Sequence, residues 1–133
     1  MDAHLHNRDV IPKLIWELFI RRPTQEMIKR VTEGKDSGGI YKITYKNTGE
    51  AYIGKTTSFN TRWQAHVKTA IGLEGAARAT IHNRMAHDGL WNYTFEILER
   101  VDKDHLSARE AFYIDFYGTK NQLNMKSGDK NGT

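Results

Sequence analysis

Six side chains of this sequence combine reactive chemistry with suggestive spacing: Tyr41, Tyr52, Lys55, Arg62, His66 and Glu110. The tyrosines lie in Gly39-Ile40-Tyr41 and Tyr52-Ile53-Gly54, two tripeptides flanking a polar, glycine-containing stretch. A phenol, with a pKa near ~10, is a poor base at neutral pH unless a nearby cation favours the phenolate. Lys55 directly follows the second tripeptide and is placed to be that cation, although a lysine at a strand end also simply stays in water. Arg62 and His66 are four residues apart, so on a helix they share a face. Such a pair offers planar donors to a phosphate and an imidazole to handle a proton, but a solvated basic face has the same spacing. Glu110 carries two competing readings. Ser107-Ala108-Arg109-Glu110 matches a capping box, in which the glutamate bonds back to its own helix. Otherwise its carboxylate is available to a substrate or a metal.

Other reactive types are less organised. His82, His87 and His105 lack a zinc-ligand spacing, and the chain has no cysteine to complete such a site; they read as surface or helix-face residues. Trp16, Trp63 and Trp91 read as core. No Walker loop, nucleophile elbow or paired acids at glycosidase-like spacing is present.

The elements that must position these groups follow from periodicity. "DVIPKLIWELFI" reads as a helix with Asp9 as N-cap, Pro12 in its first turn and Ile11, Leu14, Ile15, Leu18 and Phe19 on one apolar stripe. Pro23 is expected to end it, with a second short helix following and closed by Gly34. "KDSGG" is a loop. "GIYKITY" and "AYIG" then form a hairpin around Lys46-Asn47-Thr48-Gly49, with Tyr41, Ile43 and Tyr45 facing one way and Ile40, Lys42 and Thr44 the other. A helix entered through Ser58 or Asn60 runs to Gly72. The next, "GAARATIHNRMAHDG", holds Ile81 and Met85 inward and stops at Gly89. "WNYTFEILERV" is a third strand, and "LSAREAFYIDFYG" a last helix with Ala111, Phe112, Ile114 and Phe116 apolar. From residue 38 the order is β-β-α-α-β-α, a small α/β sandwich on about three strands.

Composition bounds the rest. A chain of 133 residues with 38% hydrophobic content supports one domain with a modest core and an appendage. The net charge of +4 is permissive of nucleic-acid binding without demanding it. Absence of cysteine excludes disulfides and fits a cytoplasmic location. No apolar run approaches the ~20 residues of a membrane helix, and the polar N-terminus "MDAHLHNRD" is not a signal peptide.

Taken in order, these elements resemble the GIY-YIG nuclease superfamily. The resemblance rests on Gly39-Ile40-Tyr41, on Tyr52-Ile53-Gly54-Lys55, on Arg62 and His66, on Glu110 followed by "AFYIDFYG", and on Leu123-Asn124. It covers residues 38–128, leaving 1–37 as an N-terminal helical extension and 129–133 as a tail. It implies a largely antiparallel three-stranded sheet flanked by helices, with Tyr41, Tyr52, Arg62, His66 and Lys55 catalytic. Glu110 would hold a single Mg²⁺ or Mn²⁺, and Asn124 would brace the site by hydrogen bonding, with Asn121 its rival. The implied activity is hydrolysis of DNA phosphodiester bonds by water that a tyrosine deprotonates. The alternative is a non-catalytic nucleic-acid- or protein-binding module on the same scaffold, a fragment of a larger defence or mobile-element protein. Residues 9–33 are the place for a second copy of the chain or an added specificity domain.

Overall fold

The computed structural model describes residues 7–73 and 80–124, with the side chains of 7–9 and 121 excepted. A helical stretch leads: α1 (Asn7–Ile15), a single wide turn at Trp16–Ile20, and α2 (Arg21–Thr32). The expected break at Pro23 does not occur. In the wide turn the Arg21 N–H reaches back five residues to the Trp16 carbonyl. This π-type widening accommodates the proline, which lacks an N–H of its own, so Pro23 sits in the first turn of α2 rather than after a helix end. The closure at Gly34 occurs as expected: Glu33 adopts a left-handed conformation and the Gly34 N–H bonds the Lys29 carbonyl at 2.9 Å.

The apolar stripe of the first helix faces solvent. Ile11, Leu14, Ile15, Leu18 and Phe19 are 37 to 69% exposed, whereas Trp16, Ile20, Thr24, Ile28 and Thr32 are buried. The inward line is thus spaced by four along the helix and carries two threonines, and it packs α2 against the helix that follows the hairpin.

The hairpin pairs β1 (Gly39–Tyr45) with β2 (Ala51–Thr56), and β3 (Tyr93–Arg100) adds to the free side of β1. The sheet is antiparallel throughout, in the order β2-β1-β3, so β2 is an edge strand. Tyr41 lies opposite Gly54, and Ile43 opposite Tyr52. In β3 the expected alternation holds for Tyr93, Phe95 and Ile97, then shifts at a bulge where Ile40 faces Glu99 and Tyr41 faces Ile97. Trp91 falls outside the strand, in a short turn at Leu90–Asn92, and is 48% exposed; its expected core position is not observed.

Helix α3 (Phe59–Ala70) begins at Ser58, whose hydroxyl accepts from the Thr61 N–H at 3.1 Å, and it is closed by Gly72. Helix α4 (Thr80–Asp88) buries Ile81 and Met85 and stops at Gly89; the sequence assigned to its start lies partly outside the described residues. Helix α5 (Leu106–Tyr117) ends at Gly118 in a left-handed conformation.

Two cores result, one on each face of the sheet. Tyr41, Ile43, Tyr93 and Phe95 pack with Trp16, Ile28, Phe59, Trp63, Ile81 and Met85 on the first face. Ile40, Ile53 and Leu106 form a smaller cluster under α5 on the second. The alternation read from "GIYKITY" therefore separates two buried layers. On α5, the apolar Ala111, Phe112 and Phe116 are exposed, with Phe112 and Phe116 at 48% and 67%.

Candidate active site

Residue alternation along the hairpin sends Tyr41 and Tyr52 to the face covered by α3, and Lys55 to the face covered by α5. Tyr41 is buried and Tyr52 half-buried. The Tyr41 ring passes directly across Gly54: a Cβ at that position would stand 2.3 Å from both its Cζ and its hydroxyl oxygen. The glycine of Tyr52-Ile53-Gly54 is therefore a gap through which a phenol on the central strand reaches the outer edge of the sheet. That close approach, not backbone flexibility, is what requires glycine here.

Three rings meet beyond the gap. The Tyr41 hydroxyl is 2.7 Å from His66 Nε2, and the Tyr41 and Tyr52 rings lie with centroids 6.2 Å apart. Tyr52 and His66 pack edge to face with centroids 5.7 Å apart. Helix α3 supplies His66 from its inner side, while Arg62, one turn earlier, is exposed. No carboxylate pairs with Arg62 among the described residues.

Burial dominates the electrostatics of this cluster. It pushes the Tyr41 phenol well above its ordinary value, with the Tyr52 and Glu110 charges adding to the rise and Arg62 opposing it. It holds the His66 imidazole well below its ordinary value, reinforced by His82 and Arg62. The expected lowering of a tyrosine pKa is thus not a property of the protein alone. Lys55, cast as the cation beside the phenol, is instead 3.6 Å from a Glu110 carboxylate oxygen, and it donates to the Ser107 hydroxyl at 3.1 Å.

The competition over Glu110 is resolved by where α5 starts. The helix already runs at Leu106, with His105 as its flanking residue and no side-chain cap. Ser107 is inside the first turn, so the capping box expected from Ser107 to Glu110 does not form. Glu110 turns instead toward β2, where burial raises its carboxyl pKa and Lys55 opposes that rise.

Asn124 closes the edge. Its Oδ1 accepts from the Ile53 N–H at 2.7 Å and its Nδ2 donates to the Ile53 carbonyl at 2.8 Å. Both backbone groups between Tyr52 and Gly54 are satisfied by one amide. Gln122, not singled out in the sequence, accepts from the Ala51 N–H at 2.7 Å in the same way. The side chain of its rival Asn121 lies outside the described residues.

His82 is the group that sequence reasoning missed. It is half-buried on α4, and its Nε2 stands 2.8 Å from His66 Nδ1. Histidine spacing gave no sign of this contact. Its position beside the inward residues Ile81 and Met85 was the available signal. His87 and His105 are exposed, as expected, and each bonds an aspartate near it in sequence.

Against known proteins, the family model of the GIY-YIG catalytic domain matches residues 37–124. The chain belongs to the GIY-YIG family. Among solved structures, the catalytic domain of the homing endonuclease I-TevI superposes with a TM-score of 0.57 at 24% identity, over 65% of this chain and 94% of that one. A mutant of the catalytic domain of the intron endonuclease I-TevI gives 0.56 at 24% identity, covering 66% and 90%. At this identity the likeness is one of fold: the three-stranded antiparallel sheet flanked by helices is the GIY-YIG fold. No curated protein matches significantly. Among the described residues, no helix is long and apolar enough to cross a membrane.

Proposed function

We propose that this GIY-YIG chain is an endonuclease that hydrolyses DNA phosphodiester bonds with the help of a divalent cation. The observation that carries this reading is the convergence at one sheet edge. Tyr41, Tyr52 and His66 meet on one side of β2, and both Arg62 and Glu110 act electrostatically on Tyr41. The nuclease unit is residues 38–128, with 1–37 its extension, and its absence of cysteine fits the cytoplasm.

Glu110 fits a cation. It is a partly buried carboxylate whose charge is only partly compensated by one lysine, and a bound cation relieves that cost. Among the described residues no group of three histidines or acids could hold a metal by itself, which suits Mg²⁺ or Mn²⁺ with one carboxylate and oxygens from water and phosphate. When bound, such a cation supplies charge neutralisation at the scissile phosphate.

The chain's own residues do the rest. Arg62, exposed and without a carboxylate partner among the described residues, offers planar donors to the phosphate. Tyr41 receives the proton of the attacking water, with Tyr52 or His66 positioning that water or sharing the proton. Lys55 holds Glu110 in place through its contacts to Glu110 and Ser107. Asn124 fixes the backbone on which Tyr52 and Gly54 ride.

The test is incubation of supercoiled plasmid with the protein and Mg²⁺ or Mn²⁺. Wild type nicks the plasmid and Glu110→Ala does not. No nicking at high protein concentration, with Glu110→Ala indistinguishable from wild type, overturns the reading in favour of a binding module.

A second copy is the occupant we assign to the exposed stripe of Ile11, Leu14, Ile15, Leu18 and Phe19. Five such side chains offer on the order of 500 Å² per copy, close to the ~1,000 Å² in total that a specific interface needs. A dimer also brings two single-strand sites to one duplex. Light scattering checks it: mass rises with concentration in wild type and stays monomeric in Leu18→Glu.

A further inference from the structure

Behind Tyr41 two imidazoles stand in line. The Tyr41 hydroxyl is 2.7 Å from His66 Nε2, and His66 Nδ1 is 2.8 Å from His82 Nε2. Both nitrogens of His66 are therefore engaged, one by a phenol and the other by a second imidazole. A neutral imidazole has one donor and one acceptor, so the direction of one bond fixes the direction of the other. With the proton on Nδ1, His66 accepts from the Tyr41 hydroxyl and donates to His82 Nε2. With the proton on Nε2, both bonds reverse.

Burial falls along this line. Tyr41 and His66 are buried, and His82 is half-buried on α4. The same burial that disfavours a standing Tyr41 phenolate also disfavours a His66 imidazolium. A simple handover of a proton from Tyr41 to His66 would create both charges in the closed part of the site. A line of transfers creates neither.

We propose that His82 is the outlet of a proton line that runs from Tyr41 through His66 to the surface of α4. The proposal rests on the hydrolytic reading of the same site. As the water oxygen bonds to phosphorus and the bond from phosphorus to the leaving sugar oxygen breaks, the water proton passes to the Tyr41 oxygen. The Tyr41 proton passes to His66 Nε2, and the His66 Nδ1 proton to His82 Nε2. Tyr41 and His66 each gain one proton and lose one, so neither changes charge. The positive charge appears on His82, the least buried member, which then gives up its Nδ1 proton. The leaving oxygen takes its proton from solvent. His82 touches no reacting atom, so it is a positioning and relay residue acting through His66.

Two measurements test this. The first needs no cleavage: long-range ¹H–¹⁵N spectra of the free protein labelled in histidine report which ring nitrogen is protonated. Protonated Nδ1 and unprotonated Nε2 on His66 are expected, and the Nε2–H tautomer overturns the proposal. Because this arm reads only the hydrogen-bond direction, a protein that cuts no DNA sinks the nuclease reading without touching this result. The second is single-turnover cleavage by wild type, His82→Gln and His82→Phe in mixtures of H₂O and D₂O. A glutamine carbonyl can accept from His66 Nδ1 and so keep the tautomer, but it cannot forward a proton. His82→Gln is expected to cut at least ~10²-fold more slowly, the lower range of a general-base contribution, with unchanged DNA affinity and melting temperature. The curved dependence of rate on D₂O fraction in wild type should become linear. A His82→Gln protein that cuts at the wild-type rate with the same curvature overturns the relay.

Discussion

The two faces of the sheet are built from different materials. The face under the Trp16–Ile20 turn and α2 to α4 is an aromatic layer in which Tyr41 and Trp63 each lie against Phe95, with centroids 5.1 and 4.9 Å apart. Its polar groups Tyr41 and His66 are buried and bond each other, with His82 as the second partner of His66. The face under α5 has a three-residue core of Ile40, Ile53 and Leu106. Around that core are the charged contacts of Lys55 with Glu110 and of Arg109 and Tyr113 with Glu99. One face fixes geometry at the cost of charge, and the other carries charge at the cost of packing. The candidate site draws on both, from the two sides of a single edge strand, with Gly54 giving the Tyr41 ring its place on the closed side.

If this division of labour holds, the largest effect should come from the charged side without harm to the fold. Glu110→Gln is expected to lower plasmid cleavage by ~10²–10³-fold, the scale of losing one preorganised electrostatic group. Its melting temperature at pH 7.5 should be no lower than that of wild type. Burial raises the Glu110 pKa, so the stability tied to its protonated form is present at low pH and is lost as pH rises through the folded-state value. The glutamine keeps that stability at neutral pH, and the difference should close below the ordinary carboxylate range. A lower melting temperature in the variant would break the comparison, because Glu110 would then be holding the fold.

Gly54 comes next. In Gly54→Ala the new methyl displaces the Tyr41 phenol, and an ångström-scale misplacement costs about 10²-fold in cleavage. Overpacking adds roughly 1–3 kcal/mol of destabilisation, read from urea unfolding. A variant with normal cleavage would mean that Tyr41 need not pass across β2.

The closed face should show itself in acid. His66 is held neutral by burial, so the unfolded chain binds its proton first and stability falls as pH drops through the ordinary imidazole range near ~6.5. Wild type should lose urea resistance between pH 7.5 and 5.5, and His66→Gln should lose less. Equal losses would remove His66 as the cause.

The smallest effect is expected on the outer surface of α5. Phe116→Ser removes an exposed ring and should change stability by no more than ~0.5 kcal/mol. Phe95→Ala, on the closed face, should cost ~3–5 kcal/mol. Comparable losses from the two would show that the second face is not as thinly packed as its core suggests.

The sequence announced the strands and the residues on them because alternation with a period of two leaves little choice of face. Alternation and helical spacing placed Tyr41, Tyr52, Arg62 and His66 on their elements, but their chemical roles were implied only by the family resemblance. Periodicity could not say which side of the first helix has something to pack on. Trp16, Ile20 and Ile28 won over a richer apolar stripe because α3 and the sheet lie on their side, a fact of tertiary arrangement. The Glu110 cap was misread through the helix boundary alone, since the capping spacing exists whether or not the helix starts where it requires. His82 was invisible as a ligand because its partner, His66, is sixteen residues away on another helix.

Gln122 and Asn124 mimic a missing neighbour for β2, holding Ala51 and Ile53 as a fourth strand would, across 71 residues of chain in each case. During synthesis β2 is therefore made long before the residues that shield it. Until residue 124 is added, the nascent protein presents a bare strand edge that invites pairing with another chain, and the backbone under Tyr52 lacks its tie. Covering the edge of β2 and tying down the backbone under Tyr52 are thus the same late event, so a prematurely halted chain is a liability for aggregation.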